Sequence, residues 1–256
     1  MTERERLRIL LSNDDGIAAA GLERLERVAR QISDDVWVVA PETDQSGASH
    51  SLTLSEPVRA RQLSEHKFAV SGTPTDSVLM AVLELIPDKQ PDLVLSGINR
   101  GSNLGEDVTY SGTVAAAMEG ALLGIPSIAL SQHNDRSRRT KWATAEHHAP
   151  DLVRKLVSVG WPANVLINVN FPDVVEDKVQ GVAMAVQGRR KPGSTLDRRL
   201  DPRDRPYYWI SSARTEEPSL AGSDLAAVHA GLIAVTPLHL DLTHHETMSR
   251  LNEALG

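Results

Sequence analysis

The sequence predicts an α/β fold: a Rossmann-like, three-layer structure in which a mostly parallel sheet carries helices on both faces. Three observations support this fold class. Short, almost continuously apolar runs alternate with amphipathic segments of helical spacing, and turn-forming residues separate the two. The chain of 256 residues is long enough for one large domain, and its content of 41% hydrophobic and 24% charged residues excludes extensive disorder.

The first strand–helix–strand unit occupies about 35 residues, the usual length of a βαβ unit. An apolar run at 8–12 ends in the turn-forming cluster Asn13-Asp14-Asp15-Gly16. Apolar residues from Leu22 to Ile32 then recur at helical spacing, with charged residues between them. A second apolar run at 36–40 is closed by a proline, which predicts the second strand.

The same alternation continues to residue 131. Residues 73–76 (Thr-Pro-Thr-Asp) are typical of a helix start, with a capping threonine, a proline in the first turn and an aspartate three residues on. An apolar stripe follows to Ile86. Further along, strands are predicted at 92–96 and 127–130, on either side of a helix at 113–123 that Gly124 ends.

Beyond residue 131 the pattern is less regular, and we expect residues 132–256 to complete a Rossmann-like core formed by residues 1–131. All 256 residues would then form one domain with a β-rich C-terminal extension. The predicted features of this half are a polar, basic loop at 132–141, helices at 144–157, 224–229 and 247–255, strands at 165–169, 182–186 and 232–236, an exposed arm at 188–206, and an aromatic run at 207–210.

Composition narrows the possible partners and locations. The net charge of −7 argues against macromolecular nucleic acid as a partner. The absence of cysteine excludes disulfides and thiolate chemistry. The charged N-terminus does not resemble a signal peptide, and the most apolar stretch, 112–130, is interrupted by Glu119 and Pro126. We therefore expect a cytoplasmic protein with no membrane partner.

Asp14 and Asp15 are the first candidates for chemistry, because they follow the first predicted strand. Two like charges at ~4 Å repel by roughly 4 kcal/mol at an effective dielectric near 20, and a divalent cation is the usual remedy. Oxygen ligands favour Mg²⁺, Mn²⁺ or Ca²⁺. The alternative is a solvated Asp-Gly turn in which Asp15 caps the following helix.

Three further segments carry polar groups near predicted strand ends. Asn99 and Asn103 lie in a glycine-containing segment at 96–105, and Ser46 lies in a polar loop at 44–51. Ser111, Gly112 and Thr113 begin a helix, where free backbone amides favour phosphate. Each has an ordinary alternative: Asx turns for the asparagines, an exposed turn for Ser46, and simple helix capping for the third segment.

These four segments should meet, because ligands of open α/β sheets bind at the carboxyl ends of the strands. Two carboxylates, one amide oxygen and one hydroxyl would leave coordination positions for water and substrate. Helix-start amides beside them would supply an anion pocket on an acidic protein. The combination predicts metal-assisted hydrolysis of a phosphate ester.

Five motifs in order, together with a C-terminal signature, resemble those of the SurE family, the stationary-phase survival proteins. The resemblance covers almost the whole chain and is carried by residues 11–16, 40–49, 72–76, 96–105 and 110–120, and by 236–238 with 241–243.

The resemblance implies a phosphatase that depends on a divalent metal and acts on nucleoside 5′- and 3′-monophosphates, and in some members on short polyphosphate. It implies one Mg²⁺ or Mn²⁺ ion per subunit and a homodimer or homotetramer built by exchange of C-terminal elements, with the arm and the last helix as subunit contacts. Our hypothesis for the mechanism is that Asp14 and Asp15 are catalytic, one of them orienting or deprotonating the attacking water. The residue assignments that follow are those of the resemblance. The implied metal ligands are Asp14, Asp15, Ser46 and Asn99, and the implied phosphate-binding residues are Asn103, Ser111, Gly112 and Thr113.

The main alternative from another class is a metal-binding phosphoacceptor domain of the receiver type. Such a domain needs an aspartate at the end of a central strand, where this chain has Ser96. An aspartyl-nucleophile phosphatase needs Asp-x-Asp, and a dinucleotide site needs a glycine fingerprint that is absent.

Among the histidines, His50 and His133 are the better candidates for a place near the cleft, and the two His-His pairs and the arm arginines are expected to be structural or solvated.

Overall fold

The computed structural model describes residues 7–134, 139–192, 196–210, 214–216 and 220–256. The predicted α/β class is confirmed. The strands are β1 (Ile9–Ser12), β2 (Val36–Pro41), β3 (Ala60–Ser64), β4 (Lys67–Val70), β5 (Leu93–Arg100), β6 (Ser127–Gln132), β7 (Val165–Phe171), β8 (Val182–Met184), β9 (Arg190–Pro192), β10 (Leu196–Leu200), β11 (Pro206–Ile210), β12 (Arg214–Glu216) and β13 (Ile233–His239). The helices are α1 (Ala20–Arg30), α2 (Pro74–Met80), α3 (Gly112–Leu122), α4 (Trp142–Val159), α5 (Asp224–His229) and α6 (His245–Leu255).

Nine strands form one central sheet in the order β3-β4-β2-β1-β5-β6-β7-β13-β8. The six from β4 to β7 run parallel, whereas β3 is antiparallel to β4 and β13 is antiparallel to β7. Because parallel strands end at the same edge, the segments that follow β1, β2, β5 and β6 are brought to one side of the molecule.

Alternate residues of the strands pack on opposite faces, which is why these strands are apolar throughout. Ile9 and Leu11 of β1 join the core under α1 and α4, whereas Leu10 joins the core that contains α2 and α3 residues. The contact between α1 and β5 is close, since a Cβ on Gly21 would lie 1.9 Å from the carbonyl oxygen of Ile98. The predicted layers, with helices on both faces, are therefore present.

The helices begin largely where their caps predict, and differ more at their ends. Thr73 and Asp76 form a reciprocal capping box at the start of α2. The helix is shorter than its apolar stripe, because it ends at Met80 and continues only as a π-type turn over Ala81–Leu85. Helix α4 is two residues longer at each end than predicted, and α6 begins two residues earlier.

Two parts of the fold were missed or wrongly predicted. The antiparallel pair β3–β4 was not predicted, and most of β3 is exposed and polar. The arm was predicted to be exposed, and β10 and β11 do form an exposed hairpin. Its beginning is different: Gly188 and Arg190 are buried, and Arg190 is only 2% exposed. Residues 193–195 of the arm and 135–138 of the basic loop lie outside the described residues.

The C-terminal region ends in α6, which buries none of its residues. Within the described ranges, none of the helices has both the length and the apolarity to cross a membrane. The division into a core and a completing half stays a prediction.

Candidate active site at the carboxyl edge of the sheet

Strand β1 leads directly into Asp14, which is 5% exposed, and Asp15, which is half-buried. The turn after them is fixed by Asn13, whose Nδ2 donates to the Gly16 carbonyl at 3.0 Å, and by Gly16 itself, whose φ of +97° favours glycine. The alternative that Asp15 caps α1 is wrong, because the N-cap of that helix is Ala19, without a side-chain cap. Both carboxylates therefore remain available at the sheet edge.

The start of α3 lies against Asp14. The Thr113 hydroxyl donates to Asp14 Oδ1 at 2.5 Å. A Cβ on Gly112 would lie 2.6 Å from the Asp14 Cβ and 3.1 Å from Oδ2, so only glycine allows the helix to approach this closely. Ser111 is the N-cap, and its Oγ accepts from the Val114 amide at 3.0 Å. The capping role expected as the alternative is present, and the Ser111 hydroxyl still has its own hydrogen to donate.

The end of β5 reaches Asp15. The backbone N–H of Arg100 donates to the Asp15 carboxylate. The preceding residue, Asn99, donates from Nδ2 to the Gly101 carbonyl at 2.9 Å, which is the local asparagine turn expected as the alternative. This contact engages the amide nitrogen of Asn99 and not its Oδ1.

The loop after β2 reaches the same place from the other side. The Gln45 amide donates to the Asp14 carbonyl at 2.7 Å, and the Ser46 amide donates to Asp44 Oδ1 at 2.8 Å. The Ser46 side chain is exposed. Asp44 was missed as a site residue, although it lies two positions before Ser46 in the polar loop. Its negative charge acts on both Asp14 and Asp15.

The Ser46 loop, residues 44–51, is attached to its surroundings at several further points. These contacts link Ser49 Oγ to the Thr109 carbonyl (2.7 Å), His50 Nε2 to Glu119 Oε2 (2.8 Å), Thr73 Oγ1 to the Ser51 carbonyl (2.7 Å), and Thr53 Oγ1, just beyond the loop, to Asp76 Oδ2 (2.6 Å). The capping box of α2 therefore also fixes the end of the loop that carries Ser46.

Asn103 is 6% exposed and is held by the neighbouring strands. Its Nδ2 donates to Ser131 Oγ at 2.9 Å, and its backbone amide donates to Asn170 Oδ1 at 2.8 Å. The side-chain amides of Asn168 and Asn170 both donate to the Asn103 carbonyl. Sequence reasoning missed these two asparagines, although polar residues at alternate positions of a buried strand were a signal.

The charges of the site are unbalanced. Burial, followed by the Asp14 charge, raises the pKa of Asp15 to about 6 from 3.8, and the Arg100 N–H only partly opposes this. Burial also raises the pKa of Asp14, against the lowering effect of the Thr113 hydrogen bond. In the described part of the chain, no cluster of three or more His, Asp or Glu side chains could hold a metal. A cation here would need amide, hydroxyl or water oxygens besides the two carboxylates, which is a donor set that suits a hard divalent ion.

The contacts of the histidines fall into the two groups that the sequence suggested. His50 and His133 are side chains near the predicted segments: His50 pairs with Glu119 of α3, and His133 Nδ1 lies 3.0 Å from Ser102 Oγ, next to Asn103. The two His-His pairs have structural contacts. His148 Nε2 lies 2.9 Å from the Glu176 carbonyl, and His244 caps α6.

Fold and site together define a class: an α/β protein with an acidic, oxygen-lined site at the carboxyl edge of its parallel strands, beside a helix start. The chain belongs to the SurE family, as the sequence motifs predicted. A family model described as "Survival protein SurE" matches residues 9–194.

Individual relatives match almost the entire chain. A protein of Paramagnetospirillum magneticum named "5′-nucleotidase SurE" is 58% identical over 97% of this chain and 95% of the relative. A Brucella anthropi protein of the same name is 56% identical over 98% of both chains. Among solved structures, the SurE protein from Aquifex aeolicus has a TM-score of 0.84 at 38% identity, covering 97% of this chain and 100% of that one.

Proposed function

We propose that this chain is a metal-dependent phosphomonoesterase that hydrolyses nucleoside 5′-monophosphates to nucleoside and phosphate. The single observation that carries the proposal is the contact between the start of α3 and Asp14, through Thr113 and Gly112. This contact supports the proposal because it would bring a cation held by Asp14 next to an anion held at the start of α3. The relatives' name, 5′-nucleotidase, supports the nucleotide as substrate.

Asp14, Asp15, Asn99 and Ser46 would hold one divalent ion, Mg²⁺ or Mn²⁺. The ion would polarise the phosphoryl group and lower the pKa of a bound water. The raised pKa values of the two aspartates support this assignment, because a cation would offset their mutual repulsion and their burial. Asp14 and Asp15 are also the groups able to orient the attacking water and to accept its proton.

Asn103, Ser111, Gly112 and Thr113 would bind the phosphate. At the first turn of α3, backbone N–H groups have no partner within the helix and are suited to an anion. One of them, the Thr113 N–H, also donates to the Asp14 carboxylate. Asn103 Nδ2 keeps a second hydrogen besides the one donated to Ser131. These donors would stabilise the negative charge on the equatorial oxygens during in-line displacement.

The finer features of the proposal rest on narrower support. Tyr110, directly before Ser111, is an aromatic residue that is 44% exposed. Few stacking surfaces imply loose base recognition, which is consistent with hydrolysis of 3′-monophosphates and short polyphosphate as well.

A homodimer or homotetramer is supported by exposed apolar residues of the β10–β11 hairpin, including Trp209 and Ile210 at 60% and 75%. The cytoplasmic location stays a prediction.

The receiver-type alternative is not favoured. Ser96, at the position of the acceptor aspartate, is fully buried in the sheet and pairs in register with Ser12 of β1. Neither residue is a carboxylate that could accept a phosphoryl group.

A phosphate-release screen tests the proposal. EDTA-treated protein would be assayed with nucleoside 5′- and 3′-monophosphates and with polyphosphate, before and after Mg²⁺ or Mn²⁺ is restored. We expect release only with metal, and its loss in Asp14→Asn. Asp151→Asn is the matched control, because Asp151 is 80% exposed on α4. Release that survives EDTA would contradict the metal, no release from any nucleotide would contradict the activity, and a carboxylate labelled by acetyl phosphate would favour the receiver alternative.

A further inference from the structure

The most unusual side chain outside the residues already assigned is Arg190, at the beginning of the arm. Among the residues that the structure describes, it is the largest of the fully buried side chains, and it is 2% exposed. A guanidinium is costly to bury unless it is paired and hydrogen-bonded. The sequence placed this residue among solvated arm arginines, so its burial needs an explanation.

The Arg190 side chain contacts two positions of the 102–107 segment. Its Nη2 donates to Ser102 Oγ at 3.0 Å and forms an ion pair with Asp107 Oδ2. Ser102 and Asp107 are themselves 2% and 5% exposed. The Arg190 backbone amide also donates to Glu106. The contacts are close on the backbone side as well, since a Cβ on Gly105 would lie 3.0 Å from the Arg190 nitrogen.

The two segments held by Arg190 carry the proposed phosphate-binding residues. Ser102 directly precedes Asn103. Asp107 accepts, through its backbone oxygen, the amides of Tyr110 and Ser111 at 3.0 Å, and Ser111 begins α3. The guanidinium therefore links the segment that carries Asn103 to the segment that positions Ser111, Gly112 and Thr113.

We propose that Arg190 is a positioning residue for phosphate binding: it holds the 102–103 segment and the start of α3 at the separation that a phosphate group needs. This inference deepens the proposed function and depends on it. The planar guanidinium suits the role, because it can donate in fixed directions to a hydroxyl and a carboxylate together, which a lysine ammonium does less well. It also makes the base of the arm part of the phosphate site.

The metal ligands should not depend on Arg190. Asp14 is held by the Gln45 amide, Asp15 by the Arg100 amide, and Asn99 by the Gly101 carbonyl. Asp14 also accepts from Thr113, which is the one contact of this set that lies at the start of α3. Loss of Arg190 should therefore weaken phosphate binding while metal binding is retained. A merely structural role would weaken both together, or neither.

Three full-length variants test the inference. Arg190→Met combined with Asp107→Asn removes both charges of the buried ion pair between these two residues. Arg190→Lys keeps the charge but loses the planar geometry. Arg199→Met is the matched control, because Arg199 is an exposed arginine of the same arm that pairs with Asp197.

The measurements are the inhibition constant of inorganic phosphate, KM and kcat for a nucleoside 5′-monophosphate, Mn²⁺ affinity by electron paramagnetic resonance, and the melting temperature. In the double variant we expect the phosphate inhibition constant and KM to rise about ten-fold or more, with Mn²⁺ affinity within two-fold of the original. Arg190→Lys should fall between the original protein and the double variant, and Arg199→Met should match the original.

Unchanged phosphate inhibition in folded Arg190 variants, or a parallel loss of Mn²⁺ affinity, would overturn the inference. If the double variant does not fold, Arg190→Lys decides the question by the same two constants. An original protein without phosphatase activity would instead refute the proposed function, so the two failures are distinguishable.

Discussion

Replacement of Asp15 by asparagine should stabilise the metal-free protein at pH 7.5, although it should abolish turnover. The reason is the charge of the site. Burial and the neighbouring Asp14 carboxylate raise the pKa of Asp15 from 3.8 to about 6 in the folded chain. Ionisation of this side chain is therefore easier in the unfolded chain than in the folded one, and the ionised form opposes folding.

The sign and size of the expected change in stability follow from the linkage between protonation and folding. Between pH 3.8 and about 6 the folded chain binds more protons than the unfolded one, so stability increases as the pH falls through this window. At about 1.4 kcal/mol per pKa unit, the difference between the pKa values of Asp15 in the folded and unfolded chains corresponds to a loss of about 3 kcal/mol in the free energy of unfolding above pH 6. Because Asp15 is only half-buried, solvent screening reduces this figure, and we expect Asp15→Asn to gain about 1–3 kcal/mol.

Urea denaturation in EDTA at pH 7.5 and at pH 4 measures the effect. The gain should be present at pH 7.5 and should almost vanish at pH 4, where the Asp15 carboxyl of the folded protein is protonated. Asp151→Asn, an exposed carboxylate on α4, should change stability little at either pH. Addition of Mg²⁺ or Mn²⁺ should stabilise the unmodified protein and not the Asp15→Asn variant. A variant less stable than the unmodified protein at pH 7.5, or a gain independent of pH, would refute the reasoning.

Three further outcomes are expected. Gly112→Ala should lower the free energy of unfolding by about 1–3 kcal/mol and kcat/KM by ~100-fold, because the new Cβ would lie 2.6 Å from the Asp14 Cβ. Urea denaturation and steady-state kinetics measure the two effects, and full activity would contradict the prediction. Asp76→Asn should lower the free energy of unfolding by about 1–3 kcal/mol and raise the Mn²⁺ concentration needed for half-maximal activity. The reason is that Asp76 Oδ2 accepts hydrogen bonds from Thr53 and Thr73, and its loss should loosen the Ser46 loop. Unchanged metal activation would count against this role. Trp209→Ser should lower the mass measured by light scattering if the β10–β11 hairpin is a subunit contact, and an unchanged mass would reject that contact.

Local patterns were sufficient for the core of the fold and for the convergence of the site segments. Three features could be predicted from the sequence because each depends on neighbouring residues: the continuously apolar strands, the capping box at Thr73 and the helix start after Ser111. Parallel strands must end at one edge, so the meeting of Asp14 with the start of α3 followed from topology alone. The assignment of these residues to a metal and a phosphate stays a proposal.

Only the tertiary structure decided which polar side chains are buried and what they contact. Arg190 is in an arm that is polar and charged in sequence, and its burial depends on Asp107, which lies 83 residues earlier in the chain. The same holds for Asn168 and Asn170, which hold Asn103 from a strand more than 60 residues away. A charged or amide side chain is stable inside a protein where partners complete its hydrogen bonds. When those partners are distant in sequence, as for Arg190 and Asn103, no local pattern records them.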